Sequence, residues 1–410
     1  MNVFARLPFQ WIQAAAFAVG FGSTWSVGAV ESDWRSCIQR LERPALAAGI
    51  TAETWQNHTE RLTPRPELLD NLNNQPEFTM RAWDYLAVLV DEERIADGLR
   101  ALGSQTDALR LAQDRYGIDP FTVTAVWGVE SNFGQRTGRW PVLQSLGTLA
   151  CMGRRQAFFQ KEFFAALRIV QAGDFNADDF IGSWAGAFGQ TQFMPTTFEK
   201  LAVDLDGDGK RNLISNDADA LGSTAHFLKD AGWRPGLPWG FEVALPKGYR
   251  GPKGRRAFRM AKDWQADGFK RLSGVAVISG NISQDTPLSL VQPEPNGPAF
   301  LVTRNFQAIY RYNASENYAL AIAHLADRLS GAGPWVTPWP TDDAGLSRAE
   351  RREIQVLLTK RGHDIGAIDG ALGSRSRTAI RIEQERLGQE VTGRAGQKLL
   401  QALRHNQASP

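Results

Sequence analysis

The sequence predicts a mainly α-helical protein, formally α+β, in which a large helical domain carries a small β-containing insertion and a separate small helical unit follows. Three observations carry this prediction. Apolar residues recur at helical spacing through much of residues 33–232 and again over Ile309–Leu329. Between them, Trp233–Phe300 is rich in Gly, Pro, Lys and Arg, with only short β-prone runs such as Val275–Ile278; Phe300–Thr303 is another. Finally, Gly331–Gly345 with Pro334, Pro338 and Pro340 reads as a proline-rich linker that sets residues 346–404 apart. At 410 residues the chain has room for two or three domains.

Taken in order, Arg6 precedes a run of small and apolar residues, Phe9–Val30, interrupted by Gln10, Gln13, Ser23 and Thr24. This fits an export signal over residues 1–30 with cleavage near Gly28-Ala29; a weak N-terminal anchor is the alternative, since the run is poor for a spanning helix. No cysteine follows it in a setting for lipid attachment. Cys37 and Cys151 both lie beyond it and, in an exported protein, could close one long loop as a disulfide. Two buried free thiols are the alternative, and the separation argues against a metal site.

Asp33–Gly49 reads as a helix through Trp34, Cys37, Ile38 and Leu41, and Thr51 begins another. Pro64–Pro76 is a polar connection, and Glu77-Phe78 leads into the aromatic segment with Trp83 and Tyr85. Glu92–Gly117 is expected to be helical throughout. Asp119 and Pro120 supply an N-cap and a first-turn proline for the next helix. There Val123, Val126 and Trp127 form an apolar stripe, and the following stripe position is Glu130, just before the stop signal at Gly134. Partial burial and the negative end of the helix dipole would both raise the pKa of such a glutamate, as a general acid requires. An edge glutamate paired with Arg136 or Arg139 is the plainer alternative.

Arg154–Ala172 is a helix whose phenylalanines look like core, and Asn176-Ala177-Asp178-Asp179 is a helix-start signal. The small residues of Gly182–Gly189 would let backbone approach a ligand, or alternatively allow a tight helix–helix contact. Asp204, Asp206 and Asp208, alternating and followed by Gly209, form the front half of a calcium loop. The twelfth position, a glutamate in an EF-hand, is Ser215, and Asp219 or else Asp217 could supply the missing carboxylate; a solvated Asx-type turn is the alternative. Asp219–Gly232 reads as a helix, Lys247–Lys262 as a basic surface, and Ser347 and Thr378–Leu387 mark two helices of the last unit.

Composition narrows the function classes. With 43% apolar and 22% charged residues this is an ordinary globular chain, and a net charge of +2 gives no argument for nucleic acid. Exposed members of its 13 tryptophans would suit stacking on sugar rings, although core is the default for any one of them.

Ala125–Gly134, with Glu130-Ser131-Asn132-Phe133-Gly134 at its end, resembles the catalytic motif of lytic murein transglycosylases of the membrane-bound lytic transglycosylase B family. The likeness returns at Gly182–Pro195 and at Tyr310–Ala319 and covers most of residues 33–330 in the family's order. It implies a lysozyme-like helical catalytic domain in which Glu130 is the single catalytic acid and Tyr85, Ser183, Gln192, Tyr312, Asn313 and Tyr318 line the substrate cleft. It implies a structural calcium at Asp204, Asp206, Asp208 and Asp219, with no cofactor required for chemistry. Residues 346–404 resemble the three-helix peptidoglycan-binding domain on the Asp369-Gly370 turn and the helix with Ala379-Ile380; Gln384 is kept, and Glu383 replaces an aromatic residue.

The implied reaction is non-hydrolytic cleavage of the β-1,4 bond between N-acetylmuramic acid and N-acetylglucosamine in peptidoglycan strands, giving 1,6-anhydromuramyl ends in the periplasm, at the wall or inner membrane. Such chemistry needs one carboxyl where most glycosidases need a pair. Asp178 or Asp179 working with Glu130 would instead suggest a lysozyme-like hydrolase, and a non-catalytic wall-binding protein is the rival from another class.

Overall fold

The computed structural model describes residues 27–73 and 80–406; the expected export segment through residue 26, and Glu77-Phe78, lie outside them. Helices α1 (Val27–Ala47) and α2 (Ala52–Thr59) are followed by a 3-10 segment, Pro66–Asn73, where the sequence suggests only a connection. Then come α3 (Ala82–Leu89), α4 (Glu92–Ser104) and α5 (Thr106–Tyr116). The single helix expected over Glu92–Gly117 is thus broken at Gln105, whose amide nitrogen reaches Asp217 Oδ2 at 2.6 Å. The central helix α6 (Pro120–Ser131) leads to α7 (Val142–Met152), α8 (Gln156–Ala172), α9 (Pro195–Leu201) and α10 (Asp217–Asp230).

Asn176–Asp179 does not start a helix. The chain passes instead into the strand β2 (Ile181–Gly182), antiparallel to β1 (Trp140–Pro141). Burial overrides the local signal: Phe180 is fully enclosed, 4.6 Å from the Phe188 ring and 5.5 Å from that of Phe175, and its carbonyl caps α7 by accepting from Val142 N at 2.9 Å.

The expected insertion holds β3 (Gly240–Ala244), β4 (Arg259–Met260), α11 (Ala261–Ala266), β5 (Lys270–Arg271), β6 (Pro287–Val291) and β7 (Phe300–Val302). The strands form one antiparallel sheet in the order β4-β6-β7-β3-β5, over a core of its own built on Trp264, Phe269, Leu288 and Leu290. Val275–Ile278 is not a strand; Val277 is nonetheless buried, and its carbonyl accepts from Arg271 Nη2 at 2.8 Å. After the sheet, α12 (Arg304–Asn313) and α13 (Glu316–Leu329) complete the domain.

Two cores fill the helical domain. One gathers α6 and α13 with Val123, Val126, Trp127, Ile322 and Leu325; the other gathers α1, α7 and α8 around Phe159, Phe163, Phe180 and Phe188. Cys37 on α1 and Cys151 on α7 are joined as a disulfide across 114 residues. α6 runs through the first core, with Thr122–Gly128 wholly buried and its two ends, Pro120-Phe121 and Val129-Glu130, partly exposed.

The proline-rich stretch is a strap rather than a loose tether. Trp335 packs on Phe300 and His324, ring centroids 4.4 and 4.2 Å away, and Glu242 accepts from Val336 N and Thr337 N at 2.7 and 2.8 Å. Beyond it, α14 (Arg348–Lys360), α15 (Ser374–Arg386) and α16 (Gln397–His405) enclose Ile354, Leu358, Ile380 and Leu400. Ser347 and Glu350 form a reciprocal capping box at the start of α14. Glu383, in place of an aromatic, is buried against His363 at 2.6 Å and Arg386 at 3.0 Å. The unit is docked on the helical domain, where Arg394 grips Asp84 with two bonds of 2.7 Å.

Candidate active site

The last turn of α6 builds the site. Asp119 caps its start, accepting from Thr122 N and Oγ1 at 2.8 Å each. Its end is unusual: Asn132, Phe133 and Gly134 all have positive φ, at 53°, 59° and 80°. Asn132 N returns to Gly128 O at 3.0 Å, Phe133 N to Trp127 O at 3.3 Å, and Gly134 N to Ser131 Oγ at 2.8 Å. The Phe133 ring folds back beneath Gly128, where a Cβ would lie 2.6 Å from it, and meets Trp127 edge-on at 5.8 Å. At Gly134 a Cβ would lie 2.5 Å from Gln190 Oε1, so glycine is required by both φ and space. The residues after Glu130 thus serve to reverse the chain and fix the turn.

Glu130 itself is half-buried at that turn, and its Oε1 accepts a 2.5 Å hydrogen bond from Tyr318 Oη. Tyr318, in the first turn of α13, is fully enclosed, and burial followed by the Glu130 charge pushes its phenol well above the ordinary range. Tyr312 on α12 lies nearly parallel to it, centroids 6.2 Å apart, and donates to Thr191 O at 2.7 Å. Burial and Glu130, in that order, also push the Tyr312 phenol well above its ordinary range. Tyr85, buried on α3, adds to the field at Tyr318. Residues separated by up to 233 positions are thereby gathered: Glu130, Tyr318, Tyr312 and Tyr85 form one cluster, counting from Tyr85 to Tyr318 (318 − 85).

The other expected cleft residues shape loops. Ser183 N donates to Ala187 O at 2.7 Å while Ser183 Oγ accepts from Ala187 N at 3.1 Å, closing a turn rather than a helix–helix contact. Gln192, at φ 51°, donates from Nε2 to Thr137 O and Gly189 O at 3.0 and 2.8 Å, tying the loop after α6 to the small-residue segment. Asn313 is half-buried at the end of α12, which stops where Ala314 turns left-handed at φ 51°. Asp178 and Asp179 are exposed on their turn.

Sequence reasoning missed two supports. Gln190 links Trp127 Nε1 to Asp217, at 2.8 and 2.7 Å, beneath the turn; its place beside Gln192 in Gly189-Gln190-Thr191-Gln192 was the available hint. Arg94, buried on α4, donates to the carbonyl of Gly128, and burial first of all lowers its pKa to about 10. No local pattern announces it.

At the acidic loop, oxygens of Asp204, Asp206, Asp208 and Asp219 lie within 4.8 Å of one another. Asp219 is completely buried, accepting from Leu205 N at 2.8 Å and Asn212 N at 2.7 Å, whereas Asp217 is turned away to Gln105 and Gln190. An all-carboxylate oxygen set converging in this way fits a hard cation such as calcium.

A mainly helical domain with a β insertion thus carries a carboxyl held by a buried tyrosine at the end of its central helix, with a three-helix unit appended. Residues 33–327 match the family model of the transglycosylase SLT domain, and the chain belongs to that family; residues 347–403 match that of a peptidoglycan binding domain. The membrane-bound lytic murein transglycosylase B of Escherichia coli K12 is 29% identical over 265 residues, 61% of this chain and 68% of that protein. SltB3 of Pseudomonas aeruginosa, solved in complex with NAG-NAM-pentapeptide, is 42% identical over 90% of this chain and 99% of its own, with a TM-score of 0.72. The E. coli lytic transglycosylase Slt35, solved in complex with calcium, is 25% identical over 74% of this chain and 94% of its own, with a TM-score of 0.62.

Proposed function

We propose that this chain cleaves the β-1,4 bond between N-acetylmuramic acid and N-acetylglucosamine in exported peptidoglycan without consuming water. The observation that carries the reading is the Glu130–Tyr318 bond at the end of α6. Glu130 gives its proton to the departing glycosidic oxygen as the C1–O bond breaks. The muramyl centre is held as an oxocarbenium ion or by its own N-acetyl oxygen. The Glu130 carboxylate then removes the proton of the C6 hydroxyl, whose oxygen closes on C1 to give the 1,6-anhydro ring, and the carboxyl is restored.

Tyr318 orients the carboxyl and stabilises the charge it acquires. Tyr85, Tyr312 and Asn313 contact the sugar, the asparagine amide suiting the N-acetyl group, and the Ser183 and Gln192 loops form the opposite wall. Asp204, Asp206, Asp208 and Asp219 would hold a structural calcium ion, with Asp219 tying the loop to α10. The C-terminal unit keeps the enzyme on the wall in the periplasm.

Mass spectrometry of soluble fragments from peptidoglycan treated with the parent and with Glu130→Gln tests this. Anhydro-muropeptides from the parent alone support the proposal. Reducing-end products would make the enzyme a hydrolase, and no products from either would leave a wall-binding protein.

A further inference from the structure

The two domains meet at the catalytic turn itself. Arg348, the first residue of α14, is nearly buried, with 15% of its side chain exposed. Its Nη1 donates to Asn132 Oδ1 at 2.7 Å, within the Glu130–Gly134 turn. Its Nε and Nη2 hold Asp91 at 3.1 Å, and its backbone N donates to Asp91 Oδ2 at 2.9 Å. Asp91 is 4% exposed in its side chain and caps α4 by accepting from Arg94 N at 2.8 Å. Arg94 in turn donates to Gly128 O, which also receives Asn132 N.

Asp91 therefore joins two arginines that hold the turn from both sides: Arg94 on a carbonyl within the helix, and Arg348 on the side chain of the residue that ends it. Asn132 sits at φ 53°, and its amide is fixed at both ends, Nδ2 donating to Gln135 Oε1 at 2.8 Å. A fork-shaped guanidinium held by a buried carboxylate has one geometry, and it transmits that geometry to the next group it bonds.

We propose that Arg348 of the wall-binding unit is a positioning residue for the reaction: through Asn132 it fixes the direction in which Glu130 leaves α6, so that docking of this domain completes the active site. The inference rests on the transglycosylase reading above. It separates two roles of the C-terminal unit, anchoring to the wall and setting the catalytic turn.

The test uses full-length chains, with kcat and KM measured on soluble, uncross-linked glycan fragments for which wall anchoring is irrelevant. Arg348→Met lowers kcat about tenfold or more with KM nearly unchanged, as a small misplacement of a catalytic group does. Asn132→Gly, which keeps the left-handed backbone and removes the acceptor, lowers it similarly, and the double variant loses little more. Arg348→Lys, which keeps the charge on Asp91 but not the fork, recovers only part. Arg352→Gln, which breaks the rim pair with Glu93 one turn further along α14, leaves kcat within about twofold of the parent.

Additive losses in the double variant, an unchanged kcat in Arg348→Met, or an equal loss in Arg352→Gln would overturn the proposal. Hydrogen exchange of the Ser131–Arg136 amides, faster in Arg348→Met than in Arg352→Gln, reads the same coupling without turnover. If the parent makes no anhydro product, the transglycosylase reading fails, and unchanged exchange separately refutes the coupling.

Discussion

Removing one oxygen atom tests how Glu130 is held. In Tyr318→Phe the ring keeps its place, since the residue is 1% exposed and lies against Tyr312, and only the 2.5 Å bond to Glu130 Oε1 is lost. A net hydrogen bond between neutral groups contributes about 1 kcal/mol, one to a charged group about 1.5–3 kcal/mol. The bond strengthens as Glu130 gives up its proton, so its differential contribution to the protonation step is about 1–2 kcal/mol, or roughly 5–30-fold in kcat. The same interaction is present with and without substrate, so KM changes little. The assay is the initial rate of anhydro-muropeptide release against glycan concentration, with thermal unfolding run beside it. A kcat unchanged or raised would refute the reasoning; a raised value would mean that ring closure, in which the carboxylate is the starting state, limits turnover. A loss confined to KM would move Tyr318 from charge stabilisation to sugar binding.

Asp327 is held by Trp239 Nε1 at 3.0 and 3.1 Å, and burial pushes its carboxyl from 3.8 up to about 7. Folding therefore favours the protonated form: stability from this group is full below pH ~4 and is lost as pH rises to ~7, so Asp327→Asn is more stable than the parent above pH 7 by up to about 4 kcal/mol, the two converging near pH 4 in denaturant titrations. Calcium at about a hundred times its Kd stabilises the parent by about 2.7 kcal/mol, seen as a rise in Tm that Asp206→Asn with Asp208→Asn abolishes; identical melting in calcium and in chelator would contradict the site. Replacing Cys37 and Cys151 together by serine opens a loop spanning 114 residues and costs about 2–5 kcal/mol, and a reducing agent lowers the parent's Tm but leaves the variant's unchanged.

Local pattern made much of this legible. The stripe Val123, Val126, Trp127, Glu130 lies within one helix, so spacing alone places the glutamate where burial ends. The partner of Cys37 needed no geometry because the chain has one other cysteine. Asp219 could be preferred over Asp217 only weakly, since both lie in the first turn of the same helix; what decides is that Asp219 points back to Leu205 N and Asn212 N. The failures share one cause, that tertiary partners outweigh local preference. Asn176–Asp179 yields to the burial of Phe180, and Gln105 breaks a helical run because Asp217 waits for its amide. Arg94 and Arg348 give no local signal for the same reason, and Gln190 gives only its place beside Gln192. Each is a polar residue whose role exists only once a group 34, 63 or 216 positions away has been folded against it.

In the proposed reaction one carboxyl acts twice, and the surroundings of Glu130 suit that role. Between giving its proton and regaining one, such a group must stay a carboxylate rather than take a proton from a neighbour. Tyr318 and Tyr312 both feel its charge, and burial pushes both phenols well above their ordinary range, so they keep their protons at neutral pH. Asp178 and Asp179, the carboxylates that would make a hydrolytic pair, stand exposed on a turn after α8. In the transglycosylase reading a substrate laid across this turn meets one carboxyl held by the Tyr318 hydroxyl. In the proposed reaction the carboxylate left behind serves the sugar's own C6 hydroxyl.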